Sequence, residues 1–361
     1  LEEAREIIHN RLMFVSLPDD CCPPKSDHHR FFFHTDTDLV YQQFFADFGP
    51  LHVGHLYTFC RRLYELLKHP QHMGKTIFYY STEHLHRRSN SVVLILSYAV
   101  LRLGKTPEEA YAPFLGIQPP LIPFRDAAFG VCTFHLTVLD CVRAVSRAMK
   151  LGHLNLDSFD PDEFAFYDAI ENGDINWIIP GKFLAFSGPL PLRREVEPGK
   201  HTLLAEDYVP TFKRLGVTCV IRFNKKCYDR RRFLEAGIRH YDLYYADGGN
   251  PSEEIFQRFL RICEETKGAI AVHCKAGLGR TGTNIALYMM KHYGYTAAES
   301  IAFCRMCRPG SIVGPQQHFL QDLEPRMKAE GEVFHLQGRG KGKPVLLSTP
   351  VSCPPPHSRG P

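Results

Sequence analysis

One stretch limits the possible fold more than any other. Residues 267–290 read Lys-Gly-Ala-Ile-Ala-Val-His-Cys-Lys-Ala-Gly-Leu-Gly-Arg-Thr-Gly-Thr-Asn-Ile-Ala-Leu-Tyr-Met-Met. An apolar run leads into a turn holding two glycines, and apolar residues at helical spacing follow. The order predicts a strand, a tight loop and a helix start, with His273-Cys274 at the strand's end. Gly277 and Gly279 let the loop curl so that successive N–H groups point inward and form a nest for an anion. The helix start adds unpaired donors and the positive end of its dipole. The expected phosphate-binding residues are Lys275, Ala276, Gly277, Leu278, Gly279 and Arg280.

Cys274 is then expected at the base of the cradle. Arg280 closes the loop with a guanidinium that can grip two phosphate oxygens at once. The positive surroundings that hold a phosphate also favour the thiolate, which makes Cys274 a nucleophile. Thr281 can hydrogen-bond the sulfur and help it leave. A structural Cys beside a glycine turn would not explain Cys, two Gly and Arg together at these intervals.

A thiophosphate route needs an acid for the leaving oxygen, on a loop upstream of the nucleophile. Residues 241–245 run toward a strand end and into Ala246-Asp247-Gly-Gly-Asn-Pro251, a turn with one carboxylate, Asp247. Asn250 reads as a helix N-cap, with Pro251 at the first helical position and Glu253 completing a capping box. Phe256, Phe259, Leu260 and Cys263 give that helix its apolar face. Past the catalytic helix, Gln316 and Gln317 offer neutral amides that could orient the hydrolytic water, or they are simply exposed at a helix start. Gln317 is the favoured one.

The chain has 361 residues, enough for two domains of common size. An offset repeat supports that division. Lys75-Thr-Ile-Phe-Tyr-Tyr-Ser-Thr82 aligns with residues 267–274, and Arg88-Ser-Asn-Ser91 with Arg280-Thr-Gly-Thr283. Thr82 falls at the Cys274 position, and His84, Leu85 and His86 replace the small residues of the turn. The first copy is expected to lack catalysis. The expected fold class is α/β, with two tandem domains, each a central mixed sheet flanked by helices. Residues 1–158 form the first, 159–182 an acidic linker helix, 183–335 the catalytic domain and 336–361 a disordered tail. Asp168, Glu171 and Asp174 of the linker are expected to line a substrate groove that attracts basic residues.

Composition excludes other classes. The twelve cysteines are scattered, and a chain of this length needs no disulfide framework. Cys304 and Cys307 have a metal-like interval without a matching second pair, so no metal or other cofactor is expected. A net charge of +4 gives no argument for nucleic acid, and the apolar run at residues 91–101 is too short to span a bilayer. No secretory signal pattern stands at the start, and the chain is expected to be intracellular.

The loop His-Cys-Lys-Ala-Gly-Leu-Gly-Arg-Thr-Gly-Thr resembles that of the mitotic-exit dual-specificity phosphatases of the cell-division-cycle type. So do Phe45-Ala-Asp-Phe-Gly-Pro, Lys105-Thr-Pro-Glu-Glu-Ala-Tyr, Pro123-Phe-Arg-Asp, Glu171-Asn-Gly-Asp, Phe183-Leu-Ala-Phe-Ser-Gly-Pro and Arg308-Pro-Gly-Ser-Ile-Val-Gly-Pro-Gln-Gln. The resemblance covers about residues 1–335. It implies Cys274 as nucleophile, Arg280 as phosphate clamp and Asp247 as general acid. It also implies substrates of proline-directed kinases, with phosphoserine or phosphothreonine before proline, and reversal of cyclin-dependent kinase phosphorylation in the cell cycle. Nucleus, nucleolus, centrosome and cytoplasm are the compartments it suggests. Two departures stand out: Phe164-Ala-Phe-Tyr167 where more acid is usual, and Asn284 where an aliphatic residue is usual. An inactive phosphoprotein-binding module would be expected to lose Cys274, Arg280 or Asp247. A phosphoinositide phosphatase would gain from a second Lys where Leu278 stands.

Overall fold

The computed structural model describes residues 4–18 and 25–338; Cys21, Cys22, Cys353 and almost all of the expected tail lie outside them. The first half contains β1 (Arg5–Ile8), β2 (Leu12–Leu17), β3 (Arg30–Phe33), α1 (Val53–Lys68), β4 (Thr76–Thr82), α2 (Leu85–Leu103), α3 (Pro107–Tyr111) and α4 (Val138–Lys150). Its sheet runs β1-β2-β4-β3, antiparallel at β1 and parallel elsewhere. β4 is rich in β-branched and aromatic residues, which suits a central strand packed on both faces. α2 is buried from Arg88 to Val100 and stops at Gly104, whose φ of 70° closes the last turn. The apolar run at 91–101 is therefore core. No helix among the described residues is long and apolar enough to cross a membrane.

Between the halves lies α5 (Pro161–Asp168), started by Asp160, whose carboxylate accepts the amides of Asp162 and Glu163 at 2.9 and 3.0 Å. The expectation of one helix over 159–182 is corrected here. Gly173 at φ 115° and Asp174 at φ 50° turn the chain. The apolar stretch after them becomes β5 (Ile175–Ile179), antiparallel to β6 (Phe183–Phe186).

The second half continues with β7 (Glu195–Glu197), β8 (Lys200–His201), α6 (Tyr208–Arg214), β9 (Val217–Arg222), α7 (Arg231–Leu234), β10 (Arg239–Asp242), α8 (Glu253–Glu265), β11 (Ala269–His273), α9 (Gly279–Tyr293), α10 (Ala297–Cys307) and α11 (Gln316–Leu336). The sheet order is β10-β9-β11-β6-β5, parallel except at β5. Both large sheets are mixed and flanked by helices, as an α/β reading requires. β11 is buried throughout in the centre of the sheet. Its carboxyl end opens at the edge where ligands of parallel α/β sheets bind.

α8 starts two residues later than the sequence suggests. Ser252 is its cap, with the hydroxyl accepting Ile255 N at 3.4 Å, and no box forms through Glu253. That start puts Glu253 and Glu254 in the first turn, against the positive end of the helix.

The halves are packed together by α4 against α10, and one apolar core runs through both. Arg147 pairs with Glu299 at 2.8 Å and His153 meets the Tyr295 hydroxyl at 3.0 Å across this seam. A partly exposed ion pair contributes about 0–1 kcal/mol, so burial at roughly 25 cal/mol per Å² carries the interface.

Both β4–α2 and β11–α9 run strand, turn, helix, as the offset repeat implies. At the first turn the Thr82 amide, counterpart of the Cys274 amide, donates to Asp36 at 2.9 Å. The Ser81 and Ser91 hydroxyls donate to the same carboxylate at 3.1 and 3.2 Å. A fixed carboxylate thus stands against the Thr82 amide at the start of the first turn.

Candidate active site

The loop after β11 has its carbonyls turned outward, one after another. Cys274 O accepts His273 Nδ1–H at 2.9 Å and Lys275 O accepts Gly188 N–H at 2.9 Å. Ala276 O and Gly277 O accept Arg308 Nη2 and Nε at 2.9 and 3.0 Å, and Leu278 O accepts Gly282 N at 2.9 Å. The amides of Lys275, Ala276, Gly277 and Leu278 donate to no acceptor among the described residues. Five carbonyls fixed on the outside and four free amides on the inside make an anion nest. α9 begins at Gly279 with no side-chain cap, which leaves its first donors open to the same ligand.

Glycine is required at two points. Gly277 sits at φ 69°, and a Cβ there would come within 2.1 Å of Phe186 O. A Cβ on Gly188 would reach 2.4 Å from Cys274 O, so the neighbouring loop can approach the nucleophile's backbone only as glycine.

Cys274 itself is buried, at 2% exposure. Thr281 Oγ1 is buried and has no hydrogen-bond partner, which leaves it available to a sulfur at the loop's base. Arg280 is nearly enclosed. Its Nη1 donates to Tyr245 O at 2.9 Å, and its Nη2 pairs with Asp247 Oδ1 at 3.0 Å. Asp247 is 67% exposed at the rim. The expected nucleophile, clamp and carboxylate therefore converge on one loop edge.

Behind the nucleophile, burial holds His273 neutral by lowering its pKa to about 3. With Nδ1 donating to Cys274 O, its Nε2 accepts the Tyr228 hydroxyl at 2.7 Å. Tyr228 in turn accepts His240 Nε2–H at 2.8 Å, and burial, with Arg222 nearby, pulls His240 down to about 4.

Two sequence expectations are corrected. Gln317 does not face the loop: its Oε1 accepts Arg305 Nη2 at 2.8 Å and its Nε2 donates to Gly314 O at 3.2 Å. The neighbouring Gln316 lies over the loop instead, where a Cβ on Gly279 would meet its Oε1 at 2.9 Å. Its Nε2 donates to Gly249 O of the Asp247 turn at 3.1 Å.

The acidic groove is also not open. Asp174 forms a two-point pair with Arg308 at 2.7 and 2.9 Å, Glu171 pairs with Lys200 at 3.0 Å, and Asp168 accepts Asn176 Nδ2 at 2.8 Å. Asp174 is thus structural, holding the arginine that orients the loop. Burial works against the Arg308 charge, but Asp174 outweighs it and raises its pKa. Sequence reasoning missed Arg308 and Gly188, and favoured Gln317 over Gln316. Arg308 opens a quoted motif, yet its target lies 31 residues upstream. Among the described residues no cluster of His, Cys, Asp or Glu could hold a metal ion.

The chain is similar in sequence to known proteins along most of its length. The model described as "dual specificity protein phosphatase, N-terminal half" matches residues 6–148, and "dual specificity phosphatase, catalytic domain" matches residues 209–326. The human "Dual specificity protein phosphatase CDC14A" is 50% identical over 332 residues, covering 92% of this chain and 55% of its own. The mouse "Dual specificity protein phosphatase CDC14B" is 48% identical over 334 residues, covering 92% and 68%. The chain thus spans about half the length of the human relative. The crystal structure of Tk-PTP in the active form aligns with 42% of this chain and 97% of its own, at 22% identity and a TM-score of 0.35.

Proposed function

The chain belongs to the CDC14 family of dual-specificity protein phosphatases and carries its cysteine-class catalytic domain, and on that premise we propose that it hydrolyses phosphoserine-proline, phosphothreonine-proline and phosphotyrosine sites through a phosphorylated Cys274. The observation that carries the reading is the loop of residues 274–280, with its carbonyls held outward and its amides unengaged.

In this reading the phosphate sits on the free amides, and Arg280 exchanges Asp247 for two phosphate oxygens. The Cys274 thiolate attacks phosphorus while the bond to the leaving oxygen breaks and protonated Asp247 supplies its proton. In the second step the Asp247 carboxylate takes a proton from water, the water oxygen bonds to phosphorus and the S–P bond breaks. Gln316 orients that water, and Thr281 steadies the departing sulfur. We assign no turnover to the first domain, where Thr82 stands in place of the nucleophile and Asp36 holds its amide.

An aromatic rim supports the preference for proline. Phe44 of the first domain packs beside Leu278 and Gly310 at the loop, and the Phe45 and Phe129 rings meet at a tilt with centroids 4.6 Å apart, Phe129 being 86% exposed. An apolar ring after the phosphorylated residue finds a surface there. Proteins phosphorylated by cyclin-dependent kinases at Ser-Pro or Thr-Pro are the substrate class that this reading implies.

A phosphopeptide library tests the specificity. Proline directly after the phosphorylated Ser or Thr is expected to raise kcat/KM by about 10–200-fold over alanine, the range an apolar pocket supplies. Equal rates with and without proline would remove the proline-directed reading.

A further inference from the structure

Asn284 and Tyr245 form a polar pair in a place that packing alone would fill with apolar side chains. Asn284 is fully buried in α9, one turn past Arg280. Its Nδ2 donates to Arg280 O at 2.8 Å and to the Tyr245 hydroxyl at 2.9 Å, and that hydroxyl donates to Arg280 O at 3.3 Å. The Tyr245 carbonyl meanwhile accepts Arg280 Nη1 at 2.9 Å. Both ends of Arg280 are therefore held by one residue, Tyr245, which stands two positions before Asp247. Asn284 fixes the tyrosine ring. Its Oδ1 is buried without a partner, a desolvation cost that an aliphatic residue would not carry.

Building on the phosphatase reading, we propose that Tyr245 and Asn284 are positioning residues that bolt the Asp247 turn to the start of α9, so that the general acid and Arg280 are set in register. Burial raises the Tyr245 pKa, so the hydroxyl remains a donor at neutral pH. The pair acts through one carbonyl, Arg280 O. Loss of either member frees the turn by a fraction of an ångström, and a poor leaving group feels this most because its departure depends on the acid.

The test compares wild type, Asn284→Leu, Tyr245→Phe and the double variant on a phosphoserine peptide and on an aryl phosphate, with thermal midpoints recorded alongside. Each single variant is expected to lower kcat on the peptide about tenfold, with little change in KM and a much smaller loss on the aryl phosphate. The double variant should lose no more than the worse single one, because groups in one network are not additive. Additive losses, or a lower thermal midpoint with the ratio between the two substrates unchanged, would overturn the positioning role. Wild-type protein inert toward both substrates would instead remove the phosphatase reading on which it rests.

Discussion

Cys274→Ser is expected to abolish turnover while leaving phosphopeptide binding intact. The anion nest is made of main-chain amides and Arg280, none of which the substitution touches, and Ser is close to Cys in size. What is lost is the nucleophile. A serine alkoxide is far harder to form than a thiolate, and the adjoining His273 gives it no help, being turned to the backbone and kept neutral by burial. Removal of a covalent nucleophile costs on the order of 10⁴-fold or more in kcat. Calorimetric titration with a phosphoserine-proline peptide should give a Kd near the wild-type KM. Turnover within tenfold of wild type would place the nucleophile elsewhere.

The second large effect is expected at Asp247. Its carboxylate stands 3.0 Å from Arg280 at the exposed rim, the side on which the proposed mechanism puts the leaving oxygen. Serine and threonine alkoxides are poor leaving groups and need a proton as the P–O bond breaks, whereas an aryl oxide leaves without one. Asp247→Ala should therefore slow hydrolysis of a phosphoserine peptide by ~10²–10⁴ and that of an activated aryl phosphate much less. Losses of equal size on both substrates would take the acid role away from Asp247, and would fit instead a structural part in holding Arg280.

What could be read from the chain follows from range. The strand, loop and helix at 269–293 lie in consecutive residues, and the glycines that curl the loop are themselves local signals. The Asp247 turn is similarly self-contained. The outward carbonyls are another matter, since they depend on Arg308, whose guanidinium crosses from the end of α10, and on Gly188 from the neighbouring strand's exit. Neither has a local pattern that names its target. Gln316 and Gln317 are adjacent on one helix, roughly 100° apart in direction, so their sequence could not say which amide faces the loop. The linker carboxylates were legible as charges but not as partners, because Lys200 and Arg308 reach them only in the fold. Ser252 rather than Asn250 is the cap, its hydroxyl accepting Ile255 N, and both residue types are good caps, so the sequence alone did not choose between them.

The most direct measurement is acid quench of the enzyme during steady turnover of a phosphoserine-proline peptide, followed by mass spectrometry of the peptide holding residue 274. Phosphate on the Cys274 sulfur is the expected result, absent from Cys274→Ser. Steady turnover with no phosphorylated Cys274, or with phosphate on another side chain, would contradict a cysteinyl-phosphate route.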